Sequence, residues 1–181
     1  MQGQISKVDF IKMLAAGVGR TADFMAQLTD YHGGPTATEY ILTADIARAL
    51  LAEDFEVEVE CLNRQLVNGL TQRKAWAPRM RIGSQRTDVV VLESGIVPRV
   101  MVEVKIGVGA TLTRIRRDLD KICNTLESME AKFALGVRAA SVFQVHVPGR
   151  QNDLKIDRLK KKVAKIEASL IMHLNAFGAK W

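Results

Sequence analysis

Cysteine and histidine are scarce in this chain, with two cysteines and three histidines among 181 residues. Cys61 and Cys123 lie far apart and form no CxxC or Cys/His spacing. Neither a disulfide framework nor a zinc site is therefore expected, and a reducing, cytoplasmic setting is the simplest one. His32, His146 and His173 are scattered, which suits structural or surface roles better than metal ligation. No apolar run approaches the roughly 20 residues that a bilayer crossing needs. The longest candidates, such as 97–104, are interrupted by charge, so no membrane partner is expected. Lys7 and Asp9 break the first apolar stretch, which reads as part of the fold rather than as a secretory signal. A GxxxxGK[ST] loop is also missing, which argues against a nucleotide cofactor. Gly107-Val108-Gly109 stands between a strand and a helix, but Leu112 occupies the place of a third glycine; a tight turn is expected there instead.

What remains is an ordinary globular composition, 48% hydrophobic and 25% charged, long enough for one compact domain. The net charge of +6 is unevenly spread: residues 1–60 carry 4 basic and 10 acidic side chains, and residues 61–181 carry 22 and 10. Between Cys61 and Thr87 stand Arg64, Arg73, Lys74, Arg79, Arg81 and Arg86 with no acidic residue, around Trp76. Such a stretch suits either a phosphate-contacting loop or a solvated basic surface.

Hydrophobic period organises the rest. Two short helical candidates precede the break at Gly33-Gly34-Pro35, so residues 1–35 read as an N-terminal helical extension and 36–181 as the main domain. A helix is expected from Thr36 to about Asp54, with Leu42, Ile46 and Leu50 on one face and Thr36 and Glu39 spaced as a capping box. Phe55, Val57, Val59 and Cys61 alternate with glutamates as a strand does. Arg86–Leu92 and Val100–Lys105 read as a hairpin. From Thr111 to Met129, Leu112, Ile115, Leu119, Ile122, Leu126 and Met129 recur at spacings of 3 and 4, marking a helix. A strand over Val142–Val147 and a long last helix after Asn152 or Asp153, with the stripe Ile156, Leu159, Val163, Ile166 and Leu170, complete the chain. The order predicts an α/β fold with a mixed central sheet flanked by helices.

One constellation carries chemistry. Residues two apart on a strand share a face, so Glu103 and Lys105 project together while Val100, Val102 and Val104 line the other side. A turn near Gly95-Ile96 would place Asp88 opposite Glu103. Two facing carboxylates repel unless a cation lies between them, and an aspartate and a glutamate are the hard oxygen donors that suit magnesium or manganese.

Asp88 followed by Glu103-Val104-Lys105 resembles the PD-(D/E)XK nuclease superfamily, with Thr87 standing where the family name has proline. The resemblance covers about 36–147 and includes Glu39, which matches the acidic residue of the family's first helix, and the αβββαβ order. It implies a restriction-endonuclease-like fold and metal-dependent phosphodiester hydrolysis. Asp88 and Glu103 would bind the ion, with Glu39 and the Val104 carbonyl as further ligands, and Lys105 would orient or help deprotonate the attacking water. A capping-box role explains Glu39 equally well.

DNA is the expected partner. Arg73, Lys74, Arg79, Arg81 and Arg86, with Arg114, Arg116 and Arg117 at the start of the next helix, are the candidate phosphate contacts. The lysines of the last helix fit an exposed helix face, and its apolar stripe suits either core packing or a homodimer. The rival reading is a noncatalytic nucleic-acid-binding or assembly subunit that keeps the fold.

Overall fold

The computed structural model describes residues 6–28, 39–63, 66, 85–93, 97–108, 112–133, 137–145 and 153–175. Helix α1 spans Lys7–Leu28, a single helix where the sequence suggests two short ones. Ser6 caps it, its Oγ accepting from the Asp9 amide at 3.1 Å and donating to the Asp9 carboxylate at 2.5 Å. Helix α2 spans Glu39–Leu51; Thr36 lies outside the described residues. Past α2 the chain turns through Asp54 in the left-handed region, at φ 60°, the conformation that commonly follows a helix end.

Four strands follow: β1 Glu56–Leu62, β2 Arg86–Glu93, β3 Val97–Val108 and β4 Arg138–Val145. They form one sheet in the order β1-β2-β3-β4. The first two pairings are antiparallel and the last is parallel, so the sheet is mixed, as its sequence order implies. Helix α3, Thr113–Phe133, makes the crossover that a parallel β3–β4 pair requires. Helix α4, Asp153–Asn175, closes the described chain. No described helix is long and apolar enough to cross a membrane.

Both faces of the sheet are covered. Val89, Val91, Val100, Val102 and Val104 pack on Phe10 and Leu14 of α1 and on Leu42, Ile46 and Leu50 of α2. The opposite face gathers Cys61, Leu66, Val90, Leu92 and Met101 with Leu126 of α3. Ile115 and Leu119 of α3 meet Ile166 and Leu170 of α4 beside Phe143 and Val145. Removing such side chains from water is the main favourable term in folding, at roughly 25 cal/mol per Å².

Three expectations are corrected by packing. Strand β3 runs on through Val108, which pairs with Val145, so Gly107-Val108 is strand and not turn. Strand β4 begins at Arg138, four residues early, because pairing with the buried β3 recruits Arg138–Ser141 despite their weak strand pattern. In β1, Val57 packs on the α1/α2 side while Cys61 packs on the α3 side. Glu60 sits between them at φ 53°, and one left-handed residue reverses the alternation that period two assumes. Burial and the neighbouring Glu58 push the Cys61 thiol up to about 12, so it stays protonated at neutral pH.

Candidate active site

Strand β3 threads the middle of the sheet and brings a polar pair into a dry place. Val89 pairs with Val102, Val90 with Met101 and Val91 with Val100. One step further along this register sets Asp88 opposite Glu103. A bulge at Val91/Leu92 shifts the pairing toward the turn, so that Leu92 meets Pro98 and Glu93 meets Val97. The bulge falls beyond the site and leaves its register intact. The Val104 amide donates to Asp88 Oδ2 at 2.6 Å, locking the aspartate across the hairpin.

Glu103 does not lie on a solvated face. It is 1% exposed, covered by α3, whose Lys121 Nζ stands 2.6 Å from Glu103 Oε1. The same ammonium donates to the Arg86 carbonyl at 2.6 Å. At that distance the pair is a charge-assisted contact that favours the ionised carboxylate. Burial pushes the Glu103 carboxyl up to about 8, against the pull of Lys121 and with the repulsion of Asp88 and Asp118 added. Burial also raises Asp88, opposed by the Val104 hydrogen bond and by Lys105 and Lys121.

Lys105 lies between two helices. Its Nζ donates to Glu39 Oε1 at 3.0 Å and lies 3.6 Å from Asp118 Oδ2, with the Val104 carbonyl oxygen at 3.4 Å. Burial alone would lower its pKa, but the hydrogen bond to Glu39 and the charges of Asp118, Glu39 and Asp88 hold it above the ordinary value. Asp118 Oδ2 is buried and accepts no hydrogen bond. The cluster thus joins carboxyl groups from Glu39, Asp88, Glu103 and Asp118 to the two ammonium groups of Lys105 and Lys121. Fully ionised, that set is short of positive charge by two.

Glu39, Asp88, Glu103, Val104 and Lys105 therefore come together. The arginines do not form one group. Arg86, Arg114 and Arg117 are exposed, with Arg86 donating to the Glu60 carbonyl at 3.2 Å. Arg116 donates to Ser169 Oγ at 2.6 Å and ties α3 to α4. Arg73, Lys74, Arg79 and Arg81 lie outside the described residues, as do His32 and His146. His173 pairs with Asp120 at 2.7 Å.

Sequence reasoning missed Asp118, Lys121 and Asn63. The first two were detectable: with Thr125 they recur at spacings of 3 and 4 beside the apolar stripe of α3, a polar row where a helix flanks a sheet. Asn63 carries no such signal. Fully buried, it donates to Thr125 Oγ1 at 3.1 Å and accepts from Thr87 Oγ1 at 2.8 Å, while its amide donates to the Gln85 carbonyl at 3.0 Å. It fastens β2, one residue before Asp88, to the helix that bears Lys121.

Among the described residues no group of three His, Cys, Asp or Glu side chains is close enough to hold a metal ion; ammonium groups stand among the carboxylates instead. No family model, no curated protein and no solved structure matches this chain.

Proposed function

We propose that this chain is a divalent-metal-dependent nuclease that hydrolyses phosphodiester bonds in DNA, with a restriction-endonuclease-like core of PD-(D/E)XK type. The observation that carries the reading is the charged cluster around the buried Glu103: Asp88, Glu103 and Lys105 on one face of a hairpin, with Glu39 and Asp118 closing around them. Gathering four carboxyl groups around two ammonium groups, with Glu103 1% exposed, is costly, and an apolar strand pair has no packing need for them. The donor set suits magnesium or manganese. Its oxygens are hard, full ionisation of its four carboxyl groups would leave it two positive charges short, and Asp118 Oδ2 accepts no hydrogen bond.

Asp88 and Glu103 would hold the metal, with Glu39 and the Val104 carbonyl as further donors. When bound, the ion lowers the pKa of water and offsets charge building on the phosphoryl oxygens. The chain's own residues do the rest. Lys105, buffered by Glu39 and Asp118, presents a fixed positive charge that orients the attacking water beside the scissile phosphate. The Val104 amide fixes the Asp88 carboxylate so that ligand geometry costs no reorganisation.

A second reading, a noncatalytic nucleic-acid-binding or assembly subunit, draws support from the same contacts: Lys105 and Lys121 already partner three of the carboxylates. Incubation with supercoiled, linear and branched DNA and with RNA, in magnesium, manganese or EDTA, separates the two. Cleavage is expected with either metal and none in EDTA, with a loss of at least about 100-fold in Glu103→Gln and in Lys105→Ala. DNA bound but intact in every metal would decide for the second reading.

A further inference from the structure

We propose that the groove between α1 and α2 is a binding site for an unpaired nucleotide of a DNA strand. The inference rests on the nuclease reading and deepens it, because it names DNA with unpaired bases as the substrate class. Beside the contact of Thr21 with Asp45 the two helices leave a groove of about 530 Å³. Arg20, Asp23 and Phe24 of α1 line it with Tyr40, Asp45 and Arg48 of α2. Its volume is that of sites that take small molecules and cofactors.

Two kinds of group meet there. At Asp45 two guanidinium groups converge: Arg20 Nη2 donates to the Asp45 carbonyl at 3.3 Å, and Arg48 Nη1 donates to Asp45 Oδ1 at 3.2 Å. The Asp45 carboxylate is buried and its Oδ2 is taken by Thr21, so its charge is satisfied inside while the Arg48 side chain stays largely exposed. A guanidinium has five N–H donors, of which these contacts use one each, and its fork suits a phosphate. Of the carboxylates described in the lining, only Asp23 is exposed. Tyr40 and Phe24 are 76% and 44% exposed, and rings left in water in this way are platforms on which a base of any sequence can stack. Phosphate donors and ring faces in one groove describe a nucleotide. Duplex DNA keeps its bases paired and stacked on one another, so the base must be unpaired. The groove also adjoins the charged cluster, since Tyr40 follows Glu39, whose Oε1 accepts from Lys105 Nζ at 3.0 Å. A strand held at Lys105 can therefore lay a neighbouring base on Tyr40.

The test is fluorescence anisotropy in EDTA with three labelled probes of equal length: oligo(dT), an abasic strand and a duplex. Wild type is compared with Tyr40→Ala, Tyr40→Trp, Arg48→Gln and the control Lys12→Gln, at an exposed position of α1 that does not line the groove. Tyr40→Ala should weaken oligo(dT) at least about fivefold and change the abasic strand and the duplex by less than about twofold, and Tyr40→Trp should bind as wild type does. Arg48→Gln should weaken oligo(dT) and the abasic strand alike, through the phosphate, while Lys12→Gln matches wild type. Tyr40 is exposed, so its replacement leaves the core intact, and an unchanged melting temperature checks this. Unchanged oligo(dT) affinity in Tyr40→Ala or in Arg48→Gln overturns the proposal, as do equal losses of Tyr40→Ala on all three probes or no binding of oligo(dT) by wild type. A wild type that cleaves DNA, with groove variants that bind oligo(dT) as it does, defeats this inference alone. Selective loss of oligo(dT) in Tyr40→Ala, with no cleavage by wild type in any metal, supports the groove and defeats the nuclease reading.

Discussion

Glu103 links the stability of the folded chain to pH. Its carboxyl rises from an ordinary 4.5 to about 8 on folding, so across that interval the folded state binds a proton that the unfolded state has released. The stability tied to the protonated form is therefore complete below the lower value and is lost as pH climbs through the upper one. Asp88, also raised by burial, acts with the same sign. Glu103→Gln carries the neutral form permanently. The gap in melting temperature between Glu103→Gln and wild type, measured without metal, is expected to widen in favour of the variant from about pH 5 to about pH 8. A gap that stays constant would show that Glu103 titrates at its ordinary value.

Helix α1 illustrates how an element can be read and yet misplaced. Its apolar positions signalled a helix, but nothing in residues 1–35 said that Phe10 and Leu14 enter the central core or that Thr21 reaches the buried Asp45 at 2.8 Å. Gly17 is the joint: a Cβ there would lie 2.7 Å from the Ile46 backbone. Gly17→Ala must push α1 off α2 and should cost about 1–3 kcal/mol in denaturant unfolding, whereas alanine at Gly19, with open space around it, is expected to be neutral or stabilising. Elsewhere legibility followed period. Ile115, Leu119 and Ile122 of the α3 stripe are buried as their period implies, and β2 and β3 pair as the hairpin that their alternation marks. The β1 alternation failed at Glu60, where one backbone angle overrides it. The α4 stripe failed by half: Ile166 and Leu170 are buried, but Ile156, Leu159 and Val163 are 37–46% exposed, since a repeat cannot say how far along a helix its neighbours extend. In the site, Asp88, Glu103 and Lys105 were legible because strand parity groups them. Asp118 and Lys121 went unread, although their spacing with Thr125 marks a polar row on α3, because the row alone does not say which face of the helix meets the sheet.

Across the whole molecule, charge is segregated, with the acidic excess in residues 1–60 and the basic excess after them. A DNA-binding protein built this way should lose affinity steeply with salt as condensed counterions are released. Arg114 and Arg117, both exposed at the start of α3, are expected to contribute to that slope. Replacing both with alanine should reduce the magnitude of d log K/d log[salt] by about 1.8; an unchanged slope would place the DNA elsewhere on the surface. The separations within the cluster also bear on how it assembles. Asp88 finds Val104 across 16 residues within one hairpin, and Lys121 follows Glu103 at the next helix. Glu39, by contrast, meets Lys105 across 66 residues. Loop closure makes the distant partner the slower one to recruit. On these separations the carboxylate centre is expected to form first from neighbouring segments, with the docking of α2 completing it.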